Sequence, residues 1–350
     1  MVSPYLHTRG KVLYNPATGV SIPKDGEEYL ALSRIERGLS VEPGSAALEH
    51  LRAARFLIED LDAETRRSHL LFLSLETCTA CNHRCPFCPV SVDPRDKEVM
   101  SQELFESIVD QTVAAGGRGV VVFLSNYNEP TIDPLFEERC RALFARGLPV
   151  SILTNASNFT PERGARLSKA GRFRYIGINL PTLDPERYQK LHGTRDLARV
   201  VANIDAMQPP ALAEETAIIV LGDRDETHRR DVDEIRKRFE PRGWQVKPFR
   251  IRSRPASGTF VPEPPPKKKL KGCELMGSRP FEHLHVTATA KAVLCCQDYY
   301  ERLVVGDLTK QTVAQVLGGD TMARLRRWTY GVEEAPADFL CRRCEFALGE

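Results

Sequence analysis

No stretch of this chain approaches the apolar length that crosses a bilayer. The first ten residues, M-V-S-P-Y-L-H-T-R-G, lack the apolar run of a secretory signal. Neither sign of charge dominates: 49 basic residues against 47 acidic leave a formal net charge of +2. A global field that would gather nucleic acid or an anionic membrane is therefore excluded. These absences leave the expectation of a cytoplasmic globular chain whose partners include neither nucleic acid nor membrane. With 350 residues, 42% of them hydrophobic and 27% charged, it is long enough for one large domain or two smaller ones. Ten cysteines in a reducing compartment argue for metal ligation over disulfides.

The densest cysteine stretch is Cys81-Asn82-His83-Arg84-Cys85-Pro86-Phe87-Cys88, directly behind an apolar strand-like run at 71–76. Three thiolates on one short loop can hold three irons of a [4Fe–4S] cluster and leave the fourth iron open. A reactive metal site needs that open position, whereas a structural site is closed by a full ligand set. Cys78 extends the loop to C-x2-C-x3-C-x2-C, and four cysteines also suit a closed zinc site or a saturated cluster.

Apolar runs recur at 119–124, 149–154, 174–179, 216–221 and 245–250, with helical patterns between them. Ser101 is an expected N-cap, and Thr160-Pro161 and Asp184-Pro185 are N-cap plus N1-proline signatures. Strands alternating with helices predict an α/β fold with a parallel sheet, whose chemistry sits at the C-terminal strand ends. At those ends stand Asn126-Tyr127-Asn128-Glu129-Pro130, then Thr154-Asn155-Ala156, then Asn179 and Leu221, with L-H-G-T-R and its Arg195 further on.

The C-x3-C-x2-C loop with Phe87 before its last cysteine resembles that of the radical S-adenosylmethionine (SAM) superfamily. The segment ending in Glu129-Pro130 resembles the superfamily's G-G-E-P with both glycines replaced, and Thr154-Asn155-Ala156 resembles its T-N-G. The resemblance implies a partial (β/α)6 TIM-like barrel over 71–252, with Cys81, Cys85 and Cys88 ligating a SAM-binding cluster. It implies SAM contacts from Phe87, Asn128, Glu129, Pro130, Thr154, Asn155, Asn179, Arg195 and Leu221. It further implies reductive cleavage of SAM to a 5′-deoxyadenosyl radical, hydrogen-atom abstraction from a substrate C–H, and an electron donor of flavodoxin or ferredoxin type.

Residues 253–272 hold too many prolines for regular structure and are expected to be a linker, with Lys267-Lys268-Lys269 a solvated run or an acidic contact. Beyond it Cys273, Cys295, Cys341 and Cys344 form a four-thiolate set that suits either a cluster or zinc. Cys295-Cys296-Gln297-Asp298 and Gly306-Asp307-Leu308 resemble elements of the Twitch domain, the short form of the SPASM domain. That likeness implies a second, auxiliary [4Fe–4S] cluster on those four thiols, in a C-terminal hairpin and helix domain over 273–350. Cys140, inside a helical pattern, reads as a core residue, and Cys78 and Cys296 are each either a spare thiol or a hydrogen-atom donor near the substrate.

Residues 1–70 read as two short strands around Asn15–Gly19 and two helices near 27–36 and 45–58. This resembles the winged-helix leader-binding module of peptide-modifying radical SAM enzymes; a packing extension of the barrel is the alternative. The function expected is modification of a ribosomally made peptide. The alternatives are tailoring of a small molecule such as an aminocyclitol or sugar, and a non-catalytic zinc or iron–sulfur protein.

Overall fold

The computed structural model describes residues 1–252, 263–274 and 278–350. In chain order its strands are β1 (His7–Arg9), β2 (Val12–Asn15), β3 (Val20–Pro23), β4 (Phe72–Leu75), β5 (Val121–Phe123), β6 (Val150–Thr154) and β7 (Phe173–Asn179). There follow β8 (Ala213–Gly222), β9 (Gln245–Arg250), β10 (Leu270–Cys273), β11 (His283–Val286), β12 (Lys291–Val293), β13 (Val304–Asp307) and β14 (Ala347–Gly349). The chain divides into two compact units. One holds Phe72–Glu263 and His285–Lys310; the other holds Met1–Leu71, Pro264–Leu284 and Gln311–Glu350.

In the first unit β4 to β9 lie side by side in sequence order, every neighbouring pair parallel. Parallel neighbours need crossovers, and helices supply them, among them Gln102–Gly116, Phe136–Ala145, Pro161–Ser168, Pro185–His192 and Glu226–Phe239. Their starts are where cap chemistry requires. The Ser101 hydroxyl accepts the Leu104 N–H at 3.2 Å, Thr160 accepts that of Arg163 at 3.4 Å, and the Asp184 carboxylate accepts that of Arg187 at 2.7 Å. One face of the sheet is an aliphatic layer: Leu73, Val122, Ile152, Ile176 and Ile218 share it in register and are almost wholly inaccessible. This is the expected six-stranded partial barrel. An antiparallel extension, β11-β12-β13, continues its sheet past β4. Cys140 is fully buried, as a core residue should be.

In the second unit β1, β2 and β3 form an antiparallel meander. Strand β1 was not expected, since His7-Thr8-Arg9 shows no apolar alternation. The second helix spans Ala46–Ala53 and stops short of the expected 58. Arg55 enters the left-handed region at φ 61°, the Phe56 N–H turns back to the Leu51 carbonyl at 2.8 Å, and the Asn15 amide donates to the Ala54 and Arg55 carbonyls. Ile22, Leu32, Leu51 and Phe56 form one core cluster, while Leu30 on the first helix is exposed.

Residues 1–71 also share a core with the end of the chain. Tyr5 and Ala17 pack with Phe281 and Tyr330. The buried Arg326 guanidinium donates to the Thr65 carbonyl at 2.8 Å, the Pro280 carbonyl at 2.8 Å and the Ser68 hydroxyl at 2.6 Å. Strands β10 and β14 pair antiparallel, which draws part of the expected linker into a sheet. The Lys267 ammonium is not simply solvated: it donates to the Cys344 carbonyl at 2.8 Å. Residues 253–262 of that linker lie outside the described residues.

Candidate active site

The site is assembled at the C-terminal ends of β4 to β8. Cys81, Cys85 and Cys88, on the loop after β4, line one cavity together with Phe87. The loops after β5 and β6 bring Asn128, Glu129, Thr154 and Asn155 to the same cavity, and β7 and β8 bring Asn179 and Leu221.

Hydrogen bonds latch the three loops to one another. The Glu129 N–H donates to the Ala80 carbonyl at 2.9 Å. The buried Glu129 carboxylate accepts from the Thr131 N–H (3.1 Å), the Thr131 hydroxyl (2.7 Å), the Thr154 hydroxyl (2.6 Å) and the Asn155 N–H (2.7 Å). Burial raises its pKa while these four donors pull it back down. Among the described residues Oε2 carries only the Asn155 bond and keeps capacity for a further donor such as a ligand ammonium. The Asn155 amide donates to Asn82 Oδ1 at 2.8 Å, and the Asn82 amide donates to the Ser157 hydroxyl at 2.7 Å. The Asn128 side chain closes its own loop, accepting the Asn126 N–H and donating to the Leu124 carbonyl.

The cluster loop is clamped from a second side. The Arg84 N–H donates to the His192 carbonyl at 2.9 Å. Gly193 ends the helix Pro185–His192 at φ 68°, and a Cβ there would stand 2.5 Å from the Arg84 carbonyl oxygen. Both the left-handed backbone and the close approach require glycine.

The thiol trio fits a cationic cluster. Burial pushes the Cys81 thiol up to about 12, and it pushes Cys85 higher still, with Cys88 and Cys81 adding like-charge repulsion. Cys81 and Cys85, desolvated in this way, resist ionising until a metal cation neutralises them, and ligation requires that deprotonation.

Four expected site residues fall outside this cavity. Arg195 is exposed, its Nε–H donating to Gln189 Oε1 at 3.1 Å, because the turn at Gly193 carries it onto the surface. Pro130 is buried as the first residue of a 3₁₀ turn. Cys78 is buried in an isolated bridge to Val99, with its thiol toward the Ala80 carbonyl and Asn128, and burial pushes it up to about 11. Cys296 is half-buried beyond the cavity lining. Conversely His83, Ser125, Tyr127, Leu153 and His192 line the cavity without having been singled out. For His83 a signal existed: it is a third potential ligand type between two loop cysteines.

In the other unit, Cys273 ends β10, while Cys341 and Cys344 sit at the turn Leu340–Arg343. Burial pushes the Cys341 thiol well up, and the charges of Cys344 and Cys273 push it further, so these three thiols lie within electrostatic range of one another. Cys295 belongs to the barrel unit, where its sulfur accepts the Gln297 N–H at 3.2 Å. Asp298 stabilises the same loop by accepting the Arg302 and Leu303 N–H groups. Tyr299 then packs with Tyr127 and Val90 against Cys81 and Cys88.

A parallel barrel with three convergent thiols and a cavity at its strand ends can hold an iron–sulfur cluster with one iron left open to a ligand. Comparison with known proteins agrees. The family model of the Radical SAM superfamily matches residues 75–235, and that of SPASM, an iron–sulfur cluster-binding domain, matches 273–345. The chain carries a radical SAM domain and an SPASM-type iron–sulfur domain, the equipment of oxidoreductase-type enzymes that use SAM and two [4Fe–4S] clusters. GTP 3′,8-cyclase from Pseudomonas putida (strain W619) is 30% identical over 139 residues, 39% of this chain and 40% of that protein. The chain thus matches well under half the length of such relatives. Among solved structures, Streptococcus suis SuiB bound to S-adenosylmethionine is similar at a TM-score of 0.63 and 14% identity, over 99% of this chain and 93% of that one. BtrN in complex with AdoMet and 2-DOIA is similar at a TM-score of 0.51 and 15% identity, over 79% and 93%. For anSMEcpe with bound AdoMet the TM-score is 0.57 at 12% identity, over 79% and 83%. Among the described residues no helix is long and apolar enough to cross a membrane.

Proposed function

We propose that this enzyme abstracts a hydrogen atom from a C–H bond of a ribosomally made peptide, leading to a cross-link, an oxidation or an epimerisation. The observation that carries the peptide reading is the extent of the likeness to SuiB. It runs over 98–99% of the chain and so includes nearly all of residues 1–70, whereas the likeness to BtrN covers 79% of the chain. One of the SuiB structures is bound to the precursor peptide SuiA.

The reduced cluster with SAM supplies the 5′-deoxyadenosyl radical. The chain's own residues do the rest. Cys81, Cys85 and Cys88 hold three irons, and the Asn128 and Glu129 loop receives the methionyl ammonium, Glu129 Oε2 offering its remaining acceptor site. Thr154 and Asn155 fix that loop at a single distance from the cluster loop. Phe87 and Leu221 give apolar walls for the adenine, and Asn179 a polar end. Tyr127 and Tyr299 seal the cluster loop from the side, which keeps water away from a reactive centre. The positioning is what makes hydrogen transfer selective, since a near-attack geometry replaces a random encounter.

A small-molecule substrate is the second reading, favoured by the fold shared with BtrN and the partial match to GTP 3′,8-cyclase. The two separate on substrate-stimulated cleavage of SAM. The anaerobically reconstituted enzyme is given reductant and SAM with a ribosomal precursor peptide such as SuiA, with 2-DOIA, or with GTP. Formation of 5′-deoxyadenosine accelerated by peptide alone supports the first reading. Acceleration by 2-DOIA or GTP alone replaces it with the second.

A further inference from the structure

Beside the cluster ligand Cys85 stand two imidazoles, His83 and His192, that the proposed reaction does not use. One ring nitrogen each of His83 and His192 and the Cys85 sulfur all lie within 4.8 Å of one another. Both imidazoles are 2% exposed. Among the described residues, both His83 nitrogens and His192 Nδ1 are buried without a hydrogen-bond partner. A buried ring nitrogen without a hydrogen bond is costly, and the fold retains three of them at one place. The rings are 5.0 Å apart, and Tyr188 packs edge-on against His192 at 4.7 Å, which fixes their orientation. Asp196 Oδ2 stands 3.4 Å from His83 Nε2 and outside the trio. That is the place of a carboxylate that orients a ligating imidazole.

We infer that His83, Cys85 and His192 form a binding site for one divalent ion of zinc or ferrous type in the chain that has not yet received its SAM-binding cluster. Two imidazoles and one thiolate suit such borderline ions, with water completing a tetrahedron. Because Cys85 is also read as a cluster ligand, occupancy by this ion and by the cluster exclude each other. Zinc, which binds such donors more tightly than ferrous iron, then delays cluster assembly at this loop.

The test uses the full chain with Cys81→Ala and Cys88→Ala, which leaves Cys85 and both histidines but too few thiols for a cluster at this loop. Cobalt(II) is the probe, since its thiolate charge-transfer and d–d bands report donor type. The other cysteines contribute equally to every variant and cancel in the difference. Against this background, one equivalent of cobalt is lost on adding His192→Phe, and again on adding His83→Phe or Cys85→Ser, while Asp196→Asn weakens it roughly 10–100-fold. X-ray absorption on the double variant with one zinc added, compared with the His192→Phe form, shows two nitrogen ligands to one sulfur in the difference. Unchanged cobalt binding in both histidine variants overturns the site, as does a difference spectrum without imidazole scattering. Neither outcome bears on the peptide reading, because no substrate or SAM is present.

Discussion

Glu129 Oε2 accepts the main-chain N–H of Asn155 at 2.7 Å, joining the end of β5 to the end of β6 through one buried carboxylate. With the Thr154 hydroxyl on the other oxygen, the carboxylate sets the spacing of the two loops expected to hold SAM. In Glu129→Gln an amide NH₂ must face one of four donors. An unsatisfied buried donor costs about 1–3 kcal/mol. The expected outcome is that loss in urea unfolding, together with weaker SAM binding to the cluster-loaded protein by calorimetry.

Gly193→Ala should disturb the cluster loop from its far side. The left-handed backbone costs an alanine about 1–2 kcal/mol, before the collision with the Arg84 carbonyl is counted. Displacement of Arg84 moves Cys85 beside it. Iron in the reconstituted protein should fall from about eight per chain toward about four, as it should in the Cys81→Ala/Cys85→Ala/Cys88→Ala variant. A full iron count would refute the clamp.

Arg139 and Asp133 form an ion pair at 3.0 Å with both side chains inaccessible, and Arg139 also donates to the Thr77 and Met100 carbonyls. This pair props the segment that leads into the cluster loop. Arg139→Met strands a buried carboxylate, a loss of about 3–5 kcal/mol. Combining it with Asp133→Asn should recover a good part of the loss, and a double-mutant cycle by urea unfolding measures how much.

Stability should fall as pH rises from about 4.5 to about 7. Burial pushes Glu76 up to about 7 against the partial relief of Arg95, and burial likewise pushes Glu282 up to about 7. Between about pH 4.5 and 7 the folded chain keeps protons that the unfolded chain has released. The contribution is whole below about 4.5 and lost as pH passes 7, on the order of 3 kcal/mol for a group as buried as Glu76. Glu76→Gln should flatten that part of a stability-against-pH curve; an unchanged slope would remove Glu76 as its source.

The barrel was legible because its strands are short apolar runs bounded by cap chemistry, and both signals are local. The cavity residues from Phe87 to Leu221 were legible because each stands at a strand end, where a parallel barrel gathers its side chains. What was hidden depends on turns and distant pairing. Arg195 follows a left-handed glycine that carries it to the surface. His83 and His192 meet only because Gly193 lets the helix end touch the loop. Strand β10 pairs with β14 about 75 residues on in the chain, and the polar edge of β1 shows no period. Residues 1–70 looked separate because their hairpin and helices are locally complete, yet Arg326 binds the carbonyl of Thr65.

That last bond sets an order of events during synthesis. The first 71 residues leave the ribosome early, but their carbonyls and the ring of Tyr5 await Arg326, Phe281 and Tyr330. At about 5–20 residues per second the wait is on the order of tens of seconds. Over that interval the barrel can close by itself, while the opening segment is held in reserve with apolar side chains still exposed. A pause or truncation before residue 311 would therefore leave a finished barrel with an unfinished head, a species that chaperones and proteases would be expected to recognise.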